Sequence, residues 1–147
     1  MWNKKSMRIL GVDPGEKNIG IALSDPTQTL AKPLIVVKHT SRPIDAASIA
    51  QLALENEAER IIVGQAFDLD GKPNYSGRKA ARLAAAIRTQ TNLPVELWDE
   101  SNSTQEARSA RIAMGSNRKK RGGHLDELAA TVILQSYLNS IIELRED

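Results

Sequence analysis

The sequence predicts an α/β protein in which helices pack on a mixed β-sheet. Three observations point there. Short Ile/Val/Leu runs bounded by turn residues fill the first part of the chain, alternating helix and strand patterns follow, and 147 residues at 41% hydrophobic content suffice for one core. Trp2, Trp98, Tyr75, Tyr137 and Phe67 are the only aromatics, so that core is expected to be built from Ile, Leu, Val and Ala, without an aromatic platform for stacking bases.

Arg8 to Asp13 is an apolar run closed by a carboxylate, and Pro14 favours an extended backbone at Asp13. Ile19 to Leu23 follows a turn-rich link, so the two runs read as a hairpin. Leu34 to Val37 reads as a third strand. Ala46, Ile49, Ala50 and Ala53 have helical spacing, and Arg60 to Val63 is a compact strand expected to stop at Gly64. A loop from Gln65 to Asn74 leads to a helix with the stripe Ala80, Leu83, Ala84 and Ile87. Asn92 and Pro94 end it before a strand from Val95 to Trp98. Ser103 to Glu106 fits a capping box, which predicts a helix to about Met114. Leu125, Leu128, Ala129, Val132, Ile133 and Tyr137 mark a closing helix. The order is β-β-β-α-β-α-β-α-α, read as one domain over residues 1–147 with a flexible N-terminus at 1–6.

The absence of Cys excludes disulfides, thiol catalysis and Cys-ligated metals, and two isolated His leave no His-rich site. No apolar run reaches the roughly 18 residues of a membrane span, so no membrane partner and a cytoplasmic location are expected. The net charge is only +2, yet its distribution is uneven. Residues 71–95 hold Lys72, Arg78, Lys79, Arg82 and Arg88 with no acid, and residues 107–125 hold Arg108, Arg111, Arg118, Lys119, Lys120 and Arg121 with none. Each window alone suits a solvated helix face. Arg118 to Arg121, flanked by Gly115 and Gly122, places four like charges in one loop, and these repel unless an anion or open solvent faces them.

Acids fall at the ends of core elements. Asp13 closes the first strand, Asp99 and Glu100 close the last, and Asp126 and Glu127 open the final helix. Parallel strand ends on one edge of an α/β sheet converge, and ligand sites form there. Carboxylates brought together need a proton or a cation between them, and Mg²⁺ or Mn²⁺ suits an all-oxygen site. Each acid also has a quieter reading: Asp13 as a turn residue, Asp126 as an N-cap, and one of Asp99 and Glu100 pointing away. Asp68 and Asp70 with Gly71 read as turn chemistry. His39 and His124 read as surface or loop residues, although His124 sits two residues before Asp126.

Asp13 to Ala22 resembles the opening motif of the YqgF-type family of pre-16S ribosomal RNA nucleases, which are Holliday junction resolvase-like members of the ribonuclease H-like superfamily. The resemblance continues through Ile61 to Gly64, Leu69 to Gly71, Trp98 to Glu100, Ser103 to Ala107 and Asp126 to Ala130, nearly the whole chain. It implies a ribonuclease H-like fold with helices on both faces of the sheet. It also implies Asp13, Glu100 and Asp126 as catalytic carboxylates binding Mg²⁺ or Mn²⁺, and it favours Glu100 over Asp99.

The implied reaction is phosphodiester hydrolysis at the 5′ end of precursor 16S ribosomal RNA, with Lys17, Arg78, Lys79, Arg82, Arg118, Lys119, Lys120 and Arg121 on the phosphates. Two departures from the family pattern stand out: Ser101 where an Arg is usual, and Gln65-Ala66 where Leu-Pro is usual. Two rival readings are a four-way DNA junction resolvase, which would call for a dimer, and a non-catalytic ribosomal RNA-binding or assembly protein. Nucleotide hydrolysis is disfavoured by the absence of a Gly-x-x-x-x-Gly-Lys-[Ser/Thr] loop. The partner is structured RNA or branched DNA, and the chain is a monomer or homodimer.

Overall fold

The computed structural model describes residues 7–100 and 124–146. Within them the strands are β1 (Arg8–Asp13), β2 (Asn18–Ser24), β3 (Ala31–Lys38), β4 (Ala58–Gln65) and β5 (Val95–Asp99). The helices are α1 (Arg42–Glu55), α2 (Tyr75–Arg88) and α3 (His124–Glu146). The expected helix from Ser103 to Met114 and the loop from Arg118 to Arg121 lie outside the described residues.

The five strands form one sheet in the order β3-β2-β1-β4-β5. β1, β2 and β3 are antiparallel neighbours, joined by tight connections, whereas β1, β4 and β5 run parallel. Parallel pairing requires a crossover, and α1 and α2 supply the two. The carboxyl ends of β1, β4 and β5 therefore share one edge.

Alternation along the strands divides the core into two layers. Leu10, Val12, Ile61 and Val63 face α1 and α2, packing against Ala46, Ile49, Ala80, Leu83 and Ile87. Ile9, Ala22 and Ile62 face the other way, against Ala130, Leu134, Tyr137 and Leu138 of α3. Helices thus cover both faces, and the core side chains are the expected Ile, Leu, Val and Ala. Trp98 and Tyr137 close the second layer with an edge-to-face contact at 5.2 Å, and Trp98 Nε1 donates to Ser136 Oγ at 3.2 Å.

The helix starts follow local chemistry. Ser41 caps α1 by accepting from Ile44 N–H, with Pro in the first turn, and Asn74 caps α2 by accepting from Gly77 N–H at 2.8 Å. Gly64 does not end β4, contrary to the expectation from its sequence: the strand continues to Gln65, in register with Asp99. Packing over Gly64 is close: a Cβ there would lie 2.7 Å from Ile133 Cδ1, the end of a side chain that would have to shift.

Candidate functional site

Two of the three proposed carboxylates stand on the same side of the shared edge. Gly11 faces α3, since a Cβ there would meet Leu134, and the two-residue period puts Asp13 on that face too. Asp13 follows Val12, the register partner of Val63, so it stands level with Gly64. Glu100 leaves β5 immediately after Asp99 and returns over Gly64. A Cβ at Gly64 would sit 3.2 Å from Glu100 Oε1 and 3.4 Å from its Cγ.

The pleat also separates Asp99 from Glu100. Trp98 packs toward α3, so Asp99 projects to the opposite face, and Glu100, past the strand end, reaches the Asp13 side. Of that pair, the structure therefore puts Glu100 with Asp13.

The third acid arrives on α3. Gly11 lets this helix approach β1 closely: a Cβ there would stand 2.8 Å from Leu134 Cβ and 3.4 Å from the Ala130 carbonyl oxygen. Ala130 is fully buried, as expected for a small residue at this contact. Asp126 is four positions earlier on the same helical stripe, inside the helix and past the N-cap position. Its side chain lies outside the described residues, as does Ser101. Among the described residues, no three His, Asp or Glu side chains gather closely enough to hold a metal.

The oxygen-only chemistry of Asp13 and Glu100 suits a hard divalent cation. Mg²⁺ binds through few carboxylates and keeps several waters, so room matters as much as charge.

The proposed phosphate contacts divide in the same way. Lys17 is exposed in the β1–β2 turn, where its carbonyl accepts from His39 N–H at 2.9 Å. In that turn Gly15 is required because a Cβ would collide with the Asn18 carbonyl. Arg78, Lys79 and Arg82 are exposed along α2, with Lys79 Nζ 4.6 Å from the Tyr75 ring centroid. Arg118, Lys119, Lys120 and Arg121 lie outside the described residues.

Sequence reasoning missed two features. Gly11 lets α3 pack close on β1 and Gly64 lets Ile133 and Glu100 pack over β4, a role no motif spells out. Gln65 is buried and donates from Nε2 to the Gly77 carbonyl at 3.1 Å, tying β4 to the start of α2. The Ala66 carbonyl beside it accepts from Asn74 N–H, so the departing Gln65-Ala66 pair is built into the α2 connection.

Known proteins are similar to the chain at two levels. A protein from Anaeromyxobacter sp. named "Putative pre-16S rRNA nuclease" is 41% identical over 133 residues, covering 90% of this chain and 97% of its own. One of the same name from Clostridium acetobutylicum is 36% identical over 135 residues, covering 92% and 100%. Among solved structures, Thermus thermophilus RuvC in complex with a Holliday junction substrate superposes with a TM-score of 0.62 at 16% identity, over 93% of this chain and 96% of that one. Fowlpox virus resolvase with Holliday junction DNA gives 0.56 at 17% identity, over 92% and 99%. These likenesses are of fold, a ribonuclease H-like mixed sheet. The RuvX profile, described as Holliday junction resolvase, matches residues 7–140, and the chain belongs to that family.

Proposed function

We propose that the protein is a divalent-metal-dependent nuclease that hydrolyses phosphodiester bonds in structured RNA, with the 5′ end of precursor 16S ribosomal RNA as its target. The observation that carries the reading is the shared side of Asp13 and Glu100 at the carboxyl edge of the sheet, with the helix bearing Asp126 drawn in by Gly11. The names of the full-length relatives support the substrate.

Asp13, Glu100 and Asp126 would hold Mg²⁺ or Mn²⁺. When bound, such a cation neutralises phosphate charge and acidifies water for attack on phosphorus. Asp13, at the end of β1, and Glu100, seated over Gly64, would present their carboxylates from one side of the sheet edge to the cation and substrate. Lys17, Arg78, Lys79 and Arg82 would bind phosphates away from the scissile bond, with Arg118 to Arg121 as a further contact, and binding would weaken steeply with salt.

The family's description favours a second reading, in which the same chemistry cuts four-way DNA junctions. One assay separates them: precursor 16S RNA and a DNA junction, with Mg²⁺ or Mn²⁺, wild type against Asp13→Asn. RNA cleavage lost in the variant supports the proposal, and junction cleavage lost in it transfers the mechanism to DNA. Tight RNA binding with no cleavage sensitive to Asp13 or Asp126 would overturn both in favour of a non-catalytic binding protein.

A further inference from the structure

A cavity of about 280 Å³ opens beside the β1–β2 turn, on the face of the sheet covered by α1 and α2. It begins at Pro14, next in the chain to Asp13, yet lies across the sheet from the carboxylates. Its floor is apolar: Ile19 and Leu83, both buried, form part of the wall. Its polar groups are of opposite kinds. Arg42, at the start of α1, and Lys79, on α2, bring two exposed cations from separate elements. Glu16, from the turn, brings a carboxylate.

The imidazole of His39 also lines this space, and its orientation is fixed. His39 Nδ1 donates to Asp45, whose other carboxylate oxygen accepts Thr40 N–H at 3.0 Å. Asp45 is 2% exposed, so its charge is met by these partners rather than by water. With Nδ1 engaged, Nε2 is the ring nitrogen remaining for a ligand.

A bare anion does not complement this lining, because Glu16 would repel it. A nucleotide does. Its phosphate suits Arg42 and Lys79, its sugar hydroxyls or base amino group can donate to Glu16 and to His39 Nε2, and a ring face can rest on Ile19 and Leu83. We infer that the cavity takes one nucleotide unit of the substrate strand, away from the scissile phosphate, as the strand crosses the β1–β2 turn. The inference rests on the nuclease reading, since it gives that site a second hold on its strand. His39 thereby becomes a substrate-binding residue rather than an ordinary loop histidine.

The chain has two His, so imidazole-detected NMR gives two sets of signals, which a His124→Gln variant assigns. Without divalent cation, adenosine 5′-monophosphate should move the His39 signals saturably and at lower concentration than inorganic phosphate. The combined Arg42→Ala and Lys79→Ala variant should weaken that binding about tenfold or more, as expected when charge-assisted hydrogen bonds to the phosphate are removed. Both residues are exposed, and unchanged signals elsewhere confirm the fold. A short single-stranded RNA should displace the mononucleotide. No movement of His39, a response to mononucleotide no better than to phosphate, or a response surviving the double substitution would each overturn the inference. Mononucleotide that stays bound while RNA saturates the protein would overturn it too, in favour of a free-nucleotide site. Cleavage is not read, so failure here leaves the carboxylate proposal standing, and failure of the Asp13→Asn test leaves this binding result intact.

Discussion

Gly11→Ala tests the idea that a missing side chain on β1 sets the position of α3. The added Cβ would stand 2.8 Å from Leu134 Cβ. Carbon atoms prefer roughly 3.5–4.0 Å, so the pair must separate by about 1 Å. Rotating Leu134 does not help, since its Cβ is fixed to the backbone, and the Ala130 carbonyl at 3.4 Å blocks a sideways move of the new methyl. The helix itself must withdraw. Overpacking of this kind costs about 1–3 kcal/mol, read as a lower urea midpoint at unchanged m-value. α3 moves as a rod, so its first turn, which carries Asp126, shifts with Leu134. A misplacement of about 1 Å can cost on the order of a hundredfold in rate. Single-turnover cleavage of precursor 16S RNA, measured well below the unfolding midpoint, should therefore fall by about 10- to 100-fold. A Gly11→Ala protein with the wild-type midpoint and rate would refute the reasoning.

Gly64→Ala should separate stability from activity, because its nearest contact, Ile133 Cδ1 at 2.7 Å, is the mobile end of a side chain. The melting midpoint should change little while cleavage falls about tenfold or more, the new methyl pressing on Glu100 Oε1; a rate matching wild type would count against Glu100. Asn74→Ala removes the α2 cap and should lower stability by about 1 kcal/mol in urea melts. Replacing Arg78 or Arg82 by Ala should reduce the salt slope of RNA binding by about 0.7 for each phosphate no longer neutralised, measured by fluorescence anisotropy. At Asp25, burial raises the carboxyl pKa, but hydrogen bonds from the Thr27 hydroxyl and from the Leu30 and Thr29 N–H groups outweigh it and hold the value at about 2 rather than 3.8. The depressed value stabilises the fold above the unfolded pKa, and this contribution is lost as pH falls from about 4 to 2. After discounting for solvent screening it is about 1 kcal/mol, so Asp25→Asn should lose that much at pH 7 and flatten the acid limb of stability between those pH values.

The strands were legible because each is an apolar run cut off by turn chemistry. β1 has the expected limits, Arg8 to Asp13. The helices start earlier than their apolar stripes suggest, because the starts are set by caps: α1 begins after Ser41 and α2 after Asn74, well before Ala46 and Ala80. Reading Gly64 as a stop signal failed for a tertiary reason. Glycine is a poor strand residue in isolation, but here Ile133 and Glu100 occupy the volume that a side chain would need, and both come from distant parts of the chain.

The same distinction governs the site. Acids at the ends of apolar runs could be named from the sequence because parallel strands bring their carboxyl ends to one edge, and strand direction follows from the order of elements. Spacing alone left Asp99 and Glu100 open and only the family resemblance favoured Glu100; in the structure the pleat turns Asp99 away, and the residue after the strand comes back over Gly64. His39 and Asp45 show where a linear reading stops. They flank a helix cap, and their pairing through Nδ1 is a local contact across six residues. Their position beside Arg42, Lys79 and Glu16 comes from packing α1, α2 and the β1–β2 turn on one face of the sheet. The carboxylates follow from where strands end, whereas the cavity follows from which helices lie side by side. That difference is why a single acid-to-amide change tests the first, while the second needs substitutions on two helices at once.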